Sequence, residues 1–379
     1  MVMAGLIIKS VFLIVLMLGV DHAGSSSSPA IKAAYWPSWD SNFTAMAIDT
    51  SHFTHVHYAF LLPDNITYSL VVSSTEGLLL SNFTSTLLHN KDHKVKTMLS
   101  LGGAGGDSSA IFARMASNVS SRQIFISSTI EIARKYGFDG LDLDWEYPAT
   151  PKEMYDLGQL LNEWRVALKQ EANITCQSPL LLSAATYFSP EFFLDKIFRS
   201  YPVDSMKKNL DWVNAMFYDY HGGWDTSTTG AHAALFDINS KLSTSYGLQS
   251  WIKSGLPRNM LVMGLPLYGR TWQLENHQNH GVGAPAIAIG PGDLGQLTFS
   301  QVVDFNKQQN ARVVFDAATV STYSYAGDIW IGYDGPLSTT LKIGYARAHG
   351  LRGYFFWAVN GDKKWQISKQ GKVFIGDPF

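Results

Sequence analysis

A closed (β/α)8 barrel is the fold this chain predicts, on three observations. Eight strand-like apolar runs recur along it, most of them separated by segments long enough for a helix, which points to parallel strands with crossover connections. Ser100, Glu146, Tyr218 with Asp219, Arg270 and Trp357 each fall at or near the end of a different run, where such barrels place their functional groups. An open doubly wound sheet is the alternative, but no Gly-x-Gly-x-x-Gly motif follows the first run.

In chain order, Met1 to about Ser25 reads as a removable secretory signal: Lys9, the apolar run Val11 to Val20, then the small residues Ala23-Gly24-Ser25. The run is too short to span a bilayer, and one domain is expected over 26–379. Lys32 to Trp39 and His52 to Leu62 are the first strand candidates. His55 and His57 share a strand face with no Cys or carboxylate at ligand spacing, so they read as packed or hydrogen-bonded core histidines and not as metal ligands. Val95 to Leu101 runs into Gly102-Gly103-Ala104-Gly105-Gly106, which lacks the Lys-Ser/Thr ending of a phosphate loop and reads as a tight turn with close backbone approach. Ser121 to Tyr136 is a helix candidate leading into an acidic strand.

Thr150-Pro151-Lys152-Glu153 then reads as a capping box with proline at the first helical position. The helix it opens carries Leu157, Leu160, Leu161, Trp164 and Leu168 at intervals of three and four, a stripe that should lie on the sheet. Pro179 to Phe188, Leu210 to Tyr220, Asn259 to Gly269 and Leu351 to Val359 complete the strands, with a helix expected over Ser338 to His349. The gap before that helix is too long for a barrel loop. With strand-like pieces at Val313 to Phe315 and Thr322 to Tyr325, about 271–335 reads as a small α+β insertion after strand seven.

The acidic strand, Phe138 to Pro148, alternates: Asp142, Asp144 and Glu146 on one face, Leu141, Leu143 and Trp145 on the other. Residues two apart on a strand lie about 6.6 Å apart, so each anionic pair repels by roughly 2.5 kcal/mol at an effective dielectric of about 20. That is close to two pKa units, enough for the row to retain a proton near neutral pH, as a general acid requires. A solvated acidic loop is the bland alternative, opposed by the interleaved Leu and Trp. A Ca²⁺ or Mg²⁺ site on the three carboxylates is another, although no metal or cofactor is expected.

With 46% hydrophobic and 16% charged residues in 379, the chain can bury a large core. The 11 Trp fit an aromatic core and a carbohydrate site equally. A net charge of −2 without a dense basic cluster makes neither nucleic acid nor an anionic membrane an expected partner, and a monomer is expected. The single Cys176 excludes an intrachain disulfide. Acceptor sequons at Asn42, Asn65, Asn82, Asn118 and Asn173 suit a secreted glycoprotein, extracellular or vacuolar.

Asp139-Gly-Leu-Asp142-Leu-Asp144-Trp-Glu146 resembles the Asp-x-x-Asp-x-Asp-x-Glu signature of family 18 glycoside hydrolases, the chitinases. Ser100-Leu-Gly102-Gly103, Met216-Phe-Tyr218-Asp219, Tyr268-Gly-Arg270 and Gly353-Tyr-Phe-Phe-Trp357 resemble further motifs of that family in the same order. Leu161-Asn-Glu-Trp-Arg165 and Asn209-Leu-Asp-Trp-Val-Asn214 are similar to plant class V members. The resemblance implies a retaining, endo-acting hydrolase of β-1,4-linked N-acetylglucosamine polymers, chitin and its oligosaccharides, working through the substrate's own acetamide. Glu146 would be the acid, Asp144 would orient the acetamide, Asp142 would share a proton with Asp144, and Tyr218 and Asp219 would hold acetamide and sugar. Trp357 would floor the cleavage point, while Tyr35, Phe60, Met216, Tyr268 and Arg270 would line the cleft. Asn360 departs from the acidic or small residue common there. Catalytically inactive lectins or inhibitors, and hydrolases of lipo-chitooligosaccharides or the N-glycan core, are the alternatives on this fold.

Overall fold

The computed structural model describes residues 30–88 and 94–372, so the expected signal over 1–25 lies outside the described residues. The first strands are β1 (Ile31–Pro37), β2 (His55–Leu61), β3 (Lys96–Gly102), β4 (Gly140–Asp144) and β5 (Leu181–Thr186). A hairpin of β6 (Glu191–Leu194) and β7 (Ile197–Ser200) precedes β8 (Trp212–Ala215) and β9 (Leu261–Pro266). A second sheet follows, built from β10 (Tyr268–Leu274), β11 (Ala286–Ile289), β12 (Gln296–Thr298), β13 (Arg312–Asp316), β14 (Ser321–Ala326) and β15 (Ile329–Tyr333). The last strand, β16 (Gly353–Trp357), pairs in parallel with β9 and with β1, which closes an eight-stranded barrel. That closure rules out the open doubly wound sheet, which would leave two edge strands, whereas each of these eight strands is bonded to two neighbours.

Strand alternation sorts the side chains. Ile31, Ala33 and Tyr35 of β1 fill the barrel interior, while Ala34 and Trp36 join the layer under the helices. On β4 the outward residues are Leu141 and Leu143, followed by Trp145, as the acidic run predicts. The ladder itself stops at Asp144, however, so Glu146 stands just past the strand.

Eight helices are described: α1 (Ser74–Leu88), α2 (Ser108–Ala116), α3 (Val119–Lys135), α4 (Pro151–Thr175), α5 (Val203–Asn209), α6 (Thr244–Lys253), α7 (Phe299–Gln308) and α8 (Pro336–Ala348). The α4 stripe of Leu157, Leu160, Leu161, Trp164 and Leu168 is buried throughout. Its cap differs from the expected box. The Thr150 hydroxyl accepts from the Glu153 N–H at 3.2 Å, but the Glu153 carboxylate, held by the same hydroxyl, accepts from Ala149 N–H at 2.7 Å, one residue earlier than the box requires.

The second sheet starts at Tyr268, earlier than the expected 271, because the apolar run Asn259 to Gly269 divides at Leu267 between β9 and β10. Its strand order is β11-β10-β15-β14-β13, with β12 also on β10, over a core of Trp272, Leu274, Ala284, Ala286, Tyr323 and Trp330. A buried ion pair joins it to the barrel. Lys342 of α8 donates to both Asp334 carboxylate oxygens at 2.7 and 2.6 Å and to the Ala233 carbonyl. Lys342→Met leaves Asp334 buried without its cation and should cost about 3–5 kcal/mol in thermal or denaturant unfolding.

Candidate active site

The site grows from Asp142, fully buried in the barrel. One carboxylate oxygen, Oδ2, accepts from the Tyr35 hydroxyl at 2.8 Å and the Ser100 hydroxyl at 2.7 Å. The other, Oδ1, accepts from Ser183 at 2.6 Å and from the Asn214 amide at 3.3 Å. Trp212 Nε1–H donates to Asn214 Oδ1 at 3.0 Å, which turns the amide nitrogen toward Asp142. His57, stacked on Tyr35 at 4.4 Å, brings Nδ1 to 3.4 Å from Oδ2. Burial by itself would raise the Asp142 carboxyl; His57 and the Ser183 and Ser100 hydroxyls outweigh it and hold the group below its ordinary range. Asp142 is therefore an anion whose oxygens are already occupied by protein donors, which argues against its serving as a metal ligand.

Asp144 and Glu146 stand above it in the opposite condition. Burial, then the Glu146 and Asp142 charges, push Asp144 well above the carboxylate range, and its buried Oδ1 meets no hydrogen-bond partner among the described residues. Burial also raises Glu146, with the Asp219 charge adding and a hydrogen bond to Tyr147 opposing, to about 7. Tyr218 is pushed up by burial and then by Asp144 and Glu146, so its phenol keeps its proton and can donate. The Asp219 carboxylate accepts from Arg270 Nε and Nη2 at 2.9 and 2.7 Å, with His232 Nδ1 at 3.6 Å.

The predicted residues do not all line an open cleft. Trp357, at the end of β16, is half-buried and stacks on Phe60 at 5.6 Å and 20°. Tyr35, Met216 and Tyr268 are buried, at 1%, 9% and 4% exposure, so Tyr35 supports Asp142 from beneath the cleft. Arg270 and Tyr268 come from β10 of the second sheet, not from a barrel strand. Gly103 N–H donates to the Asp144 carbonyl at 2.9 Å, and a Cβ on Gly102 would lie 2.1 Å from that oxygen, which is the backbone approach the glycine run predicts. Asp139 accepts from Thr97 N–H at 2.8 Å and so pins β4 to β3. Asn360 donates to Asp40 at 2.7 Å.

Sequence reasoning passed over several residues. Ser183 carries no motif, and neither His57, expected as a packed or hydrogen-bonded core histidine, nor Asn214, at the end of the class V motif, is expected beside Asp142. Trp39, 63% exposed, stacks on Phe60 at 6.0 Å but had been absorbed into the first strand run. Trp224, 62% exposed, lies under the Arg270 guanidinium at 5.2 Å. A tryptophan at or just past the end of an expected strand run, as at Trp39 and Trp224, is the available signal.

Comparison with known proteins matches residues 32–362 to the model of the glycosyl hydrolases family 18. The chain belongs to this family. Nod factor hydrolase protein 1 of Medicago truncatula is 47% identical over 353 residues, covering 92% of this chain and 91% of the relative. The class V chitinase CHIT5 of Lotus japonicus is 47% identical over 345 residues, covering 91% and 86%. A crystal structure of a class V chitinase from Nicotiana tobaccum in complex with NAG4 superposes with a TM-score of 0.87 at 39% identity, covering 92% of this chain and 100% of that one. The family 18 barrel and the likeness to plant class V chitinases are thus shown over nearly the whole chain, and this is an enzyme of the chitinase kind.

For a family 18 hydrolase with this carboxylate row, the proton on Glu146 is lost as pH rises through about 7. An acid that must be protonated gives kcat/KM a falling alkaline limb, about tenfold per pH unit above its pKa. The pH profile on an N-acetylglucosamine oligomer should bend near pH 7.

Proposed function

We propose that this protein cleaves β-1,4-linked N-acetylglucosamine chains internally, with retention and with Glu146 as the general acid. The observation that carries the proposal is the contrast along the row: four hydrogen bonds meet the Asp142 carboxylate and favour its anion, whereas Asp144 Oδ1 is buried without a partner among the described residues and burial raises both Asp144 and Glu146. Glu146 gives its proton to the glycosidic oxygen as the bond to the anomeric carbon breaks. The acetamide carbonyl oxygen of the same sugar attacks that carbon, forming a cyclic oxazolinium ion, while Tyr218 donates a hydrogen bond to the acetamide. The positive charge that develops on the acetamide nitrogen favours the Asp144 anion, which stabilises it while the Asp144 proton is shared with Asp142. Water then opens the ring, giving its proton to Glu146.

An ordinary retaining glycosidase instead needs a second carboxylate about 5–5.5 Å from the acid across the scissile bond, and family 18 is a recognised exception. Asp142 and Asp144 lie on β4, the strand that leads directly into Glu146. Asp219 comes from elsewhere, but it is committed to Arg270 through two hydrogen bonds. Trp357 and Phe60, with Trp39 beyond them, supply flat apolar faces for sugar rings. The Medicago relative favours a second reading of the same chemistry, with lipo-chitooligosaccharides as substrate. The five sequon asparagines, Asn42, Asn65, Asn82, Asn118 and Asn173, are exposed, which suits glycosylation of a secreted form.

The test incubates the protein with acylated and unacylated N-acetylglucosamine oligomers and resolves products by length. Glu146→Gln keeps the shape without the acid proton and should slow hydrolysis by at least about 10²-fold while oligomer binding survives. No products from the unaltered protein would support the lectin reading; loss of binding together with activity would make Glu146 structural.

A further inference from the structure

The residues on either side of Glu146 are both held by one side chain that the scheme above leaves unused. Ser109 lies in the first turn of α2, on the connection that follows β3. Its Oγ accepts from the Trp145 indole N–H at 2.9 Å, and its hydroxyl donates to the Tyr147 carbonyl at 3.0 Å. Trp145 is buried, at 2% exposure, so its N–H needs a partner inside the protein. The β4 ladder ends at Asp144, whose carbonyl takes its bond from Gly103. Beyond that point the chain carrying Glu146 has left the sheet, and the two bonds to Ser109 tie it to α2.

We infer that Ser109 is a positioning residue for Glu146, fixing the chain on both sides of the acid. The inference rests on the reading of Glu146 as the acid. A hydroxyl suits the post because it accepts and donates at once. Alanine loses both bonds; threonine keeps both. The Trp145 ring also packs on Phe112 of α2 at 5.9 Å and 31°, so its seat does not depend on Ser109 alone. Removing the hydroxyl should therefore loosen the acid more than the fold.

Misplacing a catalytic group by about 1 Å can cost ~10²-fold in rate. Ser109→Ala should lower kcat by about tenfold or more with KM within about twofold, and Ser109→Thr should restore most of the loss. Rates are expressed per binding-competent molecule, counted by titration with N-acetylglucosamine tetramer. Trp145→Phe deletes the same N–H while keeping an aromatic ring, and combined with Ser109→Ala its effect on kcat should be less than additive. If Ser109→Ala does not fold, Trp145→Phe with its own kcat and KM carries the test. An unchanged kcat in the folded variant, or equal losses in Ala and Thr that track melting temperature, would overturn the inference. Inactivity of the unaltered protein would instead fail the reading of Glu146 as acid.

Discussion

A carboxylate kept ionised at the centre of the barrel is the constraint on which the site depends. The groups that hold Asp142 come from five other strands: Tyr35 from β1, His57 from β2, Ser100 from β3, Ser183 from β5 and Asn214 from β8. Their spread around the ring makes barrel closure part of the electrostatics. A buried charge is tolerated only when its lone pairs are met, and here both oxygens are met by the surrounding strands.

The negative charge fixed at Asp142 then works upward through the row. It helps burial and Glu146 to keep Asp144 protonated, while burial and Asp219 keep Glu146 protonated to about pH 7. Asp219 is itself held below its ordinary range, burial being outweighed by His232 and Arg270. Arg270 arrives on β10, so the second sheet contributes to the charge balance at the barrel mouth. Lys342 and Asp334 help to hold that sheet's exit strand to the barrel.

The period-two pattern made the carboxylate face of β4 legible in the sequence, and the three-four spacing did the same for the buried stripe of α4. Both are local. The partners of Asp142 were not legible as a group, since Tyr35 lies 107 residues from it and Asn214 lies 72. They meet only through strand register, which a run of apolar residues does not encode. The same weakness places the start of the second sheet late, because Met260 to Gly269 carries no charged or amide side chain to mark where one sheet ends and the next begins. Tyr35 was placed in the cleft by resemblance, whereas its position on β1 sends its hydroxyl inward to Asp142. Ser109 carried no signal at all, for its importance lies in two bonds to a segment 36 and 38 residues away.

The central claim is that the protein supplies the acid and the charge balance while the sugar supplies the nucleophile. Mass-spectrometric sequencing of the first products from a partially deacetylated chitooligosaccharide tests it most directly. If the acetamide is the nucleophile, every newly formed reducing end should be N-acetylglucosamine. New reducing ends that carry a free amine, formed at comparable rates, would contradict it and return the search to a protein nucleophile.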